Sequence, residues 1–369
     1  MGFFNMQRRR IQRVTTVGFA AVAMASFVAA CGSSGGSGSS SSSGSASSSS
    51  SAALSGTLNG SGSTLQLTYQ QAAIQAFKSV QSGMTVNYGG GGSGKGRTDL
   101  ASGTVNYAGS DSPIPSDETA NFKGKTVLYF PDVIAPVTVS YNLSGVKSLK
   151  LSAPVIANIF QAKIKKWNDP AIKADNPGVS LPSTAITIAH RSDSSGTTAN
   201  FSEFLVEGAP GVWKLSSGST INWPANSRGG NGNGGVAQII KSTPGAIGYV
   251  DYADAKASGL VFASIKNKDG QYVLPSVSSA AAAASQTTVK ADLTFSAIWA
   301  TGGSSYPITA QSWVLVYQKQ PNGNDVKMLQ AWIGYLIGDG QKLLPSIGFA
   351  PLPASIDSKA KAQLSKISS

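Results

Sequence analysis

Arg191-Ser192-Asp193-Ser194-Ser195-Gly196-Thr197-Thr198 gathers the groups that hold an oxyanion. One guanidinium offers a planar fork that matches a phosphate-like group bidentately. Five hydroxyls add neutral donors, and Gly196 lets the backbone approach closely. The run before it, Ala185-Ile186-Thr187-Ile188-Ala189, alternates and is β-branched, which predicts a strand. The run after it, Ala199-Asn200-Phe201-Ser202-Glu203-Phe204-Leu205, predicts the start of an amphipathic helix. The octapeptide therefore sits at a strand-to-helix turn. There the first amides of a helix have no intrahelical partner and its dipole favours negative charge. The same residues also read as a Ser/Thr-rich helix cap with one surface ion pair.

Three earlier turns have a similar make-up: Gly60-Ser61-Gly62-Ser63-Thr64, Gly89-Gly90-Gly91-Gly92-Ser93-Gly94 and Gly109-Ser110-Asp111. The elements that would carry them follow from pattern. Leu65 to Val80 predicts a helix, and Met84 to Tyr88 a strand. A loop Gly89 to Gly96 leads into another helix, and Val105 to Asp111 is a strand ending in a polar turn. Val127 to Phe130 and Ile134 to Val139 predict two further strands, and Ala280 to Ser285 a short helix or loop. Alternating strands and helices predict an α/β fold with largely parallel sheets. The polar turns all follow strands, where open α/β sheets place ligands.

The chain has 369 residues and a net charge of +12, with only 12% charged residues. Residues 1–30 hold four arginines and no acid, which leaves +8 on the remainder. The remaining lysines are scattered and not interleaved with aromatics, which argues against nucleic acid and for mild attraction to anions. Cys31 is the only cysteine and His190 the only histidine. Disulfides and His/Cys metal clusters are excluded, and no Asp-x-Asp-x-Asp-Gly loop suggests a divalent cation. No metal and no cofactor are expected.

Residues 1–30 have the basic and apolar regions of a signal peptide. Val28-Ala29-Ala30-Cys31 resembles a bacterial lipobox, which implies cleavage before Cys31 and its lipidation. Gly32 to Ser51 holds 14 Ser, 5 Gly and one Ala, a flexible tether with a reach of roughly 25 Å. The address is thus extracytoplasmic, with the body held on the outer face of the cytoplasmic membrane or in the periplasm through lipid on Cys31. The folded body starts near Gly56.

The four turns, with Ile164 to Ile172, Asn233-Gly234-Gly235-Val236, Pro244 to Val250 and Phe349 to Pro353, resemble the phosphate-binding proteins of bacterial ABC phosphate importers, the Pst system. The resemblance spans about Gly56 to Pro353. It implies a two-lobed periplasmic-binding-protein-like fold of type II, each lobe a mostly parallel sheet flanked by helices. After the tether at residues 31–55, lobe I would comprise residues 56–132 and 307–369, and lobe II residues 133–306. Two crossover strands would lie near Phe130-Pro131-Asp132 and Tyr306-Pro307-Ile308. The implied ligand is inorganic phosphate, the implied partner the membrane permease of the importer, and the implied state a monomer without enzymatic activity. By position, Thr64 supplies a hydroxyl, Leu65 an amide and Ser93 a hydroxyl. Asp111 faces the ligand, while Arg191, Ser195, Gly196 and Thr197 close over it, with Asp193 orienting Arg191. An acceptor facing an anion makes sense if the ligand carries a proton, as phosphate does near neutral pH and sulfate does not. Asp111 also reads as a turn former. The family usually has an aromatic and a proline where Leu65-Gln66 stand, and a small residue where Lys95 stands.

Three other readings compete. Sulfate or molybdate would use the same kind of cradle. Gly89-x-x-x-x-Gly94-Lys95 is a near miss to a nucleotide-binding P-loop, but Gly96 occupies the position that would ligate Mg²⁺. A serine hydrolase would need a nucleophile elbow, and the only Gly-x-Ser-x-Gly match is Gly32 to Gly36 in the tether. His190 lies on the opposite side of its strand from Arg191 and reads as a packed or surface residue.

Overall fold

The computed structural model describes residues 54–369. The signal segment, Cys31 and most of the tether lie outside the described residues. Among the described residues no helix is long and apolar enough to cross a membrane, and no group of three His, Cys, Asp or Glu could hold a metal ion.

Strands alternate with helices as the periodicity predicts; besides a small three-stranded sheet of Lys150–Leu151, Ser264–Lys266 and Tyr272–Val273, the strands form one larger curled sheet. Its order runs Met84–Gly89, Gly56–Gly62, Tyr107–Ser110, Thr309–Tyr317, Val127–Tyr141, Ala246–Asp251, Thr187–Arg191, Arg228–Gly230. The first three strands are mutually parallel, and so are the last three. Between these wings, Thr309–Tyr317 and Val127–Tyr141 run antiparallel to their neighbours.

Val127–Tyr141 corrects the expectation of two strands. It is one continuous strand of 15 residues. Residues Val127 to Pro136 pair with Thr309–Tyr317, and Val137 to Tyr141 pair with Ala246–Asp251. Pro131 does not interrupt it, because the register shifts there: Trp313 opposes Pro131, Ser312 opposes Val133, and Asp132 is left without a partner residue. A bulge absorbs a proline that a regular ladder would not.

Two helices start or end elsewhere than the pattern predicts. The first runs Leu67–Phe77, two residues inside the predicted start, because Ser63 Oγ takes the amides of Leu65 and Gln66 at 3.1 and 3.3 Å. The second begins at Ser93 and takes in Gly94 and Gly96, which the pattern placed in the loop. Contact explains this. A Cβ on Gly96 would lie 2.7 Å from Gly62 Cα and 2.8 Å from Ser61 O, so only glycine lets this helix lie flush on the first strand. The Ala-rich segment is helical over Val277–Ala284, with a Ser276–Ser279 capping box.

Each wing has an aromatic core beneath its polar turns. Phe77, Tyr107 and Trp332 cluster in the first, Phe77 and Trp332 with ring centroids 5.1 Å apart. Phe160, Phe201 and Tyr249 cluster in the second, Phe201 stacked on Tyr249 at 4.4 Å. Tyr249 then reaches out of its core. Its hydroxyl accepts the Arg191 amide at 3.0 Å and bonds Thr198 Oγ1 at 2.6 Å. Burial pushes the Tyr249 hydroxyl up to about 12, so it stays protonated and fixes the turn above it.

Candidate functional site

The four polar turns converge where the ends of the two parallel wings meet. Thr187–Arg191 delivers the Arg191 turn, and the helix Gly196–Gly208 starts immediately after it. Ser195 caps that helix by accepting the Thr198 amide at 3.1 Å. Tyr107–Ser110 ends at Asp111, and Ser93 opens its own helix opposite. Ser93 Oγ joins the wings: it accepts the amides of Asp111 and Gly196, both at 3.1 Å. Gly94 N also donates to Ser194 O at 3.0 Å.

Arg191 is buried, its side chain 1% exposed. Its Nε donates to Asp193 Oδ1 at 2.8 Å and its Nη2 to Asp193 Oδ2. Asp193 Oδ1 also accepts the Gly232 amide at 3.0 Å. Burial pushes the Asp193 carboxyl up, but the Arg191 guanidinium and that amide outweigh it and hold it below its ordinary value. The pair is thus charged on both sides, and the free edge of Arg191 points inward through Nη1, 3.4 Å from Thr197 Oγ1.

The hydroxyls show a common polarity. A hydroxyl has two lone pairs and one proton. Ser93 Oγ has both lone pairs filled by amides. Thr197 Oγ1 accepts from Arg191 Nη1 and from Asn233 Nδ2 at 3.2 Å. Thr64 Oγ1 accepts from Asn233 Nδ2 at 3.1 Å and the Asn233 amide at 3.3 Å. Each of the three keeps its proton to donate. Ser63 and Ser312 differ: both donate to Asp111 Oδ1, at 2.5 and 2.6 Å.

Asp111 is buried, 1% exposed. Burial raises its carboxyl above the ordinary value, opposed by the Ser312 and Ser63 hydroxyls and by the charges of Arg191 and Arg97. With Oδ1 held by two hydroxyls, Oδ2 faces Gly196, where a Cβ would stand 2.7 Å from it.

Of the residues expected from sequence, Thr64, Ser93, Asp111, Arg191, Asp193, Ser195, Gly196 and Thr197 all come together. Ser195 serves as a cap, and its Oγ is directed at its own helix. Leu65 differs: its amide donates to Ser63 Oγ, because the Ser63 hydroxyl caps the turn before the helix begins. Lys95 stands outside, half exposed, paired with Asp99 at 2.6 Å. His190 is packed, its ring stacked on Trp223 at 5.2 Å, its Nδ1 2.9 Å from Arg191 O. Burial lowers its pKa, which favours the neutral ring. At the P-loop-like turn, Gly96 lies against Gly62 and offers no hydroxyl for a metal.

Four residues were missed. Asn233, fully buried, bridges Thr64 and Thr197 across the wings; it lies in a stretch that carried the family resemblance, but no role was assigned to it. Asn200 holds Asp111 O at 2.7 Å and Gly196 O at 2.9 Å. Ser312 belongs to a strand 201 residues after Asp111, and no local signal marks it. Arg97 is a second buried guanidinium. It grips Glu118 through Nε at 2.6 Å and Nη2 at 2.8 Å, and reaches Ser219 Oγ at 3.3 Å.

A family model described as a PBP superfamily domain matches residues 47–339. The chain is 34% identical over 313 residues to the phosphate-binding protein PstS of Pasteurella multocida, covering 83% of this chain and 89% of that one. It is also 34% identical over 313 residues to phosphate-binding protein PstS 3 of Mycobacterium leprae, covering 82% and 85%. Among solved structures it is similar to a high affinity periplasmic phosphate-binding protein with bound phosphate, with a TM-score of 0.70 at 21% identity over 84% of this chain and 94% of that one. A phosphate-binding protein from Stenotrophomonas maltophilia gives 0.66 at 20% identity over 83% and 93%. At these identities the structures show a shared fold.

Proposed function

As this chain belongs to the family of phosphate-binding proteins PstS within the PBP superfamily, we propose that it binds inorganic phosphate between its two wings and delivers it to the membrane permease of an ABC importer. The observation that carries this is the polarity of Thr64, Ser93 and Thr197. Three hydroxyls whose lone pairs are filled by N–H groups are three donors with nothing left to accept. Arg191 adds one compensated positive charge. Such a set stabilises a dianion without burying several unpaired cations, whose desolvation would be costly. The one acceptor in the cluster, Asp111 Oδ2, matches the single proton that phosphate carries near neutral pH.

The ligand contacts are thus Thr64, Ser93, Asp111, Arg191, Gly196 and Thr197, with Asp193, Ser195 and Asn233 in support and Leu65 packed beneath the first turn. The lobes follow the expected division, with the first boundary moved from 132/133 to 136/137, where Val127–Tyr141 changes partners. The protein carries and releases its ligand without chemical change. The protein is a monomer, lipidated at Cys31 and held outside the cytoplasmic membrane by its Ser/Gly tether; mass spectrometry of the membrane-bound protein would read the lipid.

Calorimetric titration of the purified protein with phosphate, sulfate and molybdate tests the ligand. Phosphate should bind stoichiometrically and displace any weak binding of the others. Binding of sulfate or molybdate in preference to phosphate would overturn the assignment.

A further inference from the structure

We propose that Gln66 sets the anion selectivity of the site, acting through Ser312 to hold the negative charge of Asp111 where the ligand's proton must meet it. This rests on the phosphate reading above.

Gln66 stands at the head of the helix Leu67–Phe77, where a side chain would usually cap or face water. Instead it makes no cap and is fully buried. Its Nε2 donates to Ser312 Oγ at 2.6 Å and to Trp313 O at 2.9 Å. A backbone carbonyl only accepts, so the Trp313 contact fixes which end of the amide faces Ser312. Gln66 Oε1 in turn accepts from Gln70 Nε2 at 3.1 Å, and Gln70 Oε1 from the Tyr107 hydroxyl at 3.3 Å. Ser312 has one proton and two acceptors in reach, Asp111 Oδ1 at 2.6 Å and Ser110 O at 3.3 Å. The Gln66 donation anchors one lone pair of Ser312 and leaves its proton on the line to Asp111. Three donors therefore point the same way, from Gln70 through Gln66 and Ser312 to one carboxylate oxygen, while the Tyr107 hydroxyl lies 3.3 Å from both Gln70 Oε1 and Asn87 O. Such chains polarise each link in a low-dielectric interior.

The charge they hold is contested. Arg191 and Arg97 favour an ionised Asp111 from two sides. That charge in turn pushes the Asp132 and Asp251 carboxyls and the Tyr88 hydroxyl upward, toward their neutral forms. Burial opposes it most strongly, and the Ser312 hydroxyl leads the groups that counter it. If that hydroxyl is free to turn away, Asp111 takes up a proton at higher pH. A protonated Asp111 is a donor. Phosphate then loses its acceptor, and sulfate gains a partner where it met repulsion.

The test is Gln66→Met, which keeps the length and removes the amide. Phosphate and sulfate affinities are titrated against pH in the full-length protein. Wild type should prefer phosphate until acid pH protonates Asp111. In Gln66→Met the pH at which this preference collapses should move upward by about one to two units, the scale of one lost hydrogen bond to a charged group. Ser312→Ala should move it the same way, and adding Gln66→Met to Ser312→Ala should move it no further. A Gln66 that merely fills space would lower the melting temperature and leave this pH unchanged, which overturns the proposal. So would a normal profile in Ser312→Ala, should Gln66→Met not fold. A wild-type protein that binds phosphate no better than sulfate would instead overturn the phosphate reading, and this proposal with it.

Discussion

In the proposed phosphate site, Asp111 and Arg191 would divide the work of recognition between them. Asp111 can only accept while ionised, so it repels an anion that has no proton. Asp111→Asn replaces it with a group that donates and accepts. Phosphate should lose modestly, sulfate should gain, and the ratio of their affinities should fall at least tenfold, or about 1.4 kcal/mol. Paired titrations of the two anions measure it; an unchanged ratio would make Asp111 a turn former. Arg191 supplies the charge, and Asp193 keeps its fork in place. Arg191→Ala should weaken phosphate binding by about 2–5 kcal/mol, the scale for truncating one partner of a buried charge pair. Arg191→Lys should recover part of this, because a point charge replaces the fork. Calorimetry on both variants decides it. A third carboxyl, Asp132, titrates outside the ligand set. It is fully buried at the bulge, neither side-chain oxygen has a hydrogen-bond partner, and burial with the nearby Asp111 charge raises it well above its ordinary value. A carboxyl raised on folding stabilises the fold below its unfolded pKa. That contribution disappears as pH rises through the folded value. The stability of wild type should therefore fall relative to Asp132→Asn as pH climbs above the usual carboxylate range, by up to about 1.4 kcal/mol per pH unit in that window. Urea midpoints of both proteins between pH 5 and 8 check this; a constant gap would show that Asp132 does not titrate there.

At the scale of elements, two helix starts face each other across the site, and glycine sets how close they come. A Cβ on Gly196 would lie 2.4 Å from Ser93 Oγ and 2.6 Å from Asp111 Cβ, contacts that join one wing to the other. Gly196→Ala should therefore act on closure and not on the folding of either wing. Phosphate affinity should fall roughly tenfold to a hundredfold, from the 1–3 kcal/mol that one inserted methyl costs in a packed site. The melting temperature without phosphate should scarcely change. Gly89→Ala, at a position with nothing within 4 Å, is the matching control. Equal affinities for the two variants would mean that the wings do not meet at Gly196 when phosphate is bound.

For the whole molecule, the unbroken strand Val127–Tyr141 matters most. It belongs to both wings, changing partners at Pro136 and Val137. At the same height, Val137 N donates to Ile308 O at 2.8 Å, just before Thr309–Tyr317 begins. A hinge located there would open the wings without breaking either core, while the contacts made by Ser93, Gly94 and Asn233 would part. Small-angle scattering should give a smaller radius of gyration at saturating phosphate than without it. Superimposable curves would argue for a rigid site that admits its ligand without opening.

The alternation of elements, the polar turns after strands and most of the residues that cluster where the wings meet were legible in the sequence. Each is local: a β-branched run, a glycine and hydroxyls at a helix start report their own conformation and their own free amides. The resemblance of several separated stretches to one family then ordered those turns around one ligand. The sequence did not show what holds the turns once they meet. Ser312 reaches Asp111 because an antiparallel strand from the far end of the chain is inserted beside Tyr107–Ser110. Asn233 joins Thr64 to Thr197 because two helix starts face each other across the wings. Gln66 turns inward because Ser63 already caps its turn and Ser312 waits beneath it. The same nonlocal pairing carried the chain through Pro131 as one strand, where local propensity suggested two. Propensity and periodicity follow neighbours along the chain, whereas the direction of a hydroxyl proton depends on neighbours in space, which only the tertiary structure brought together.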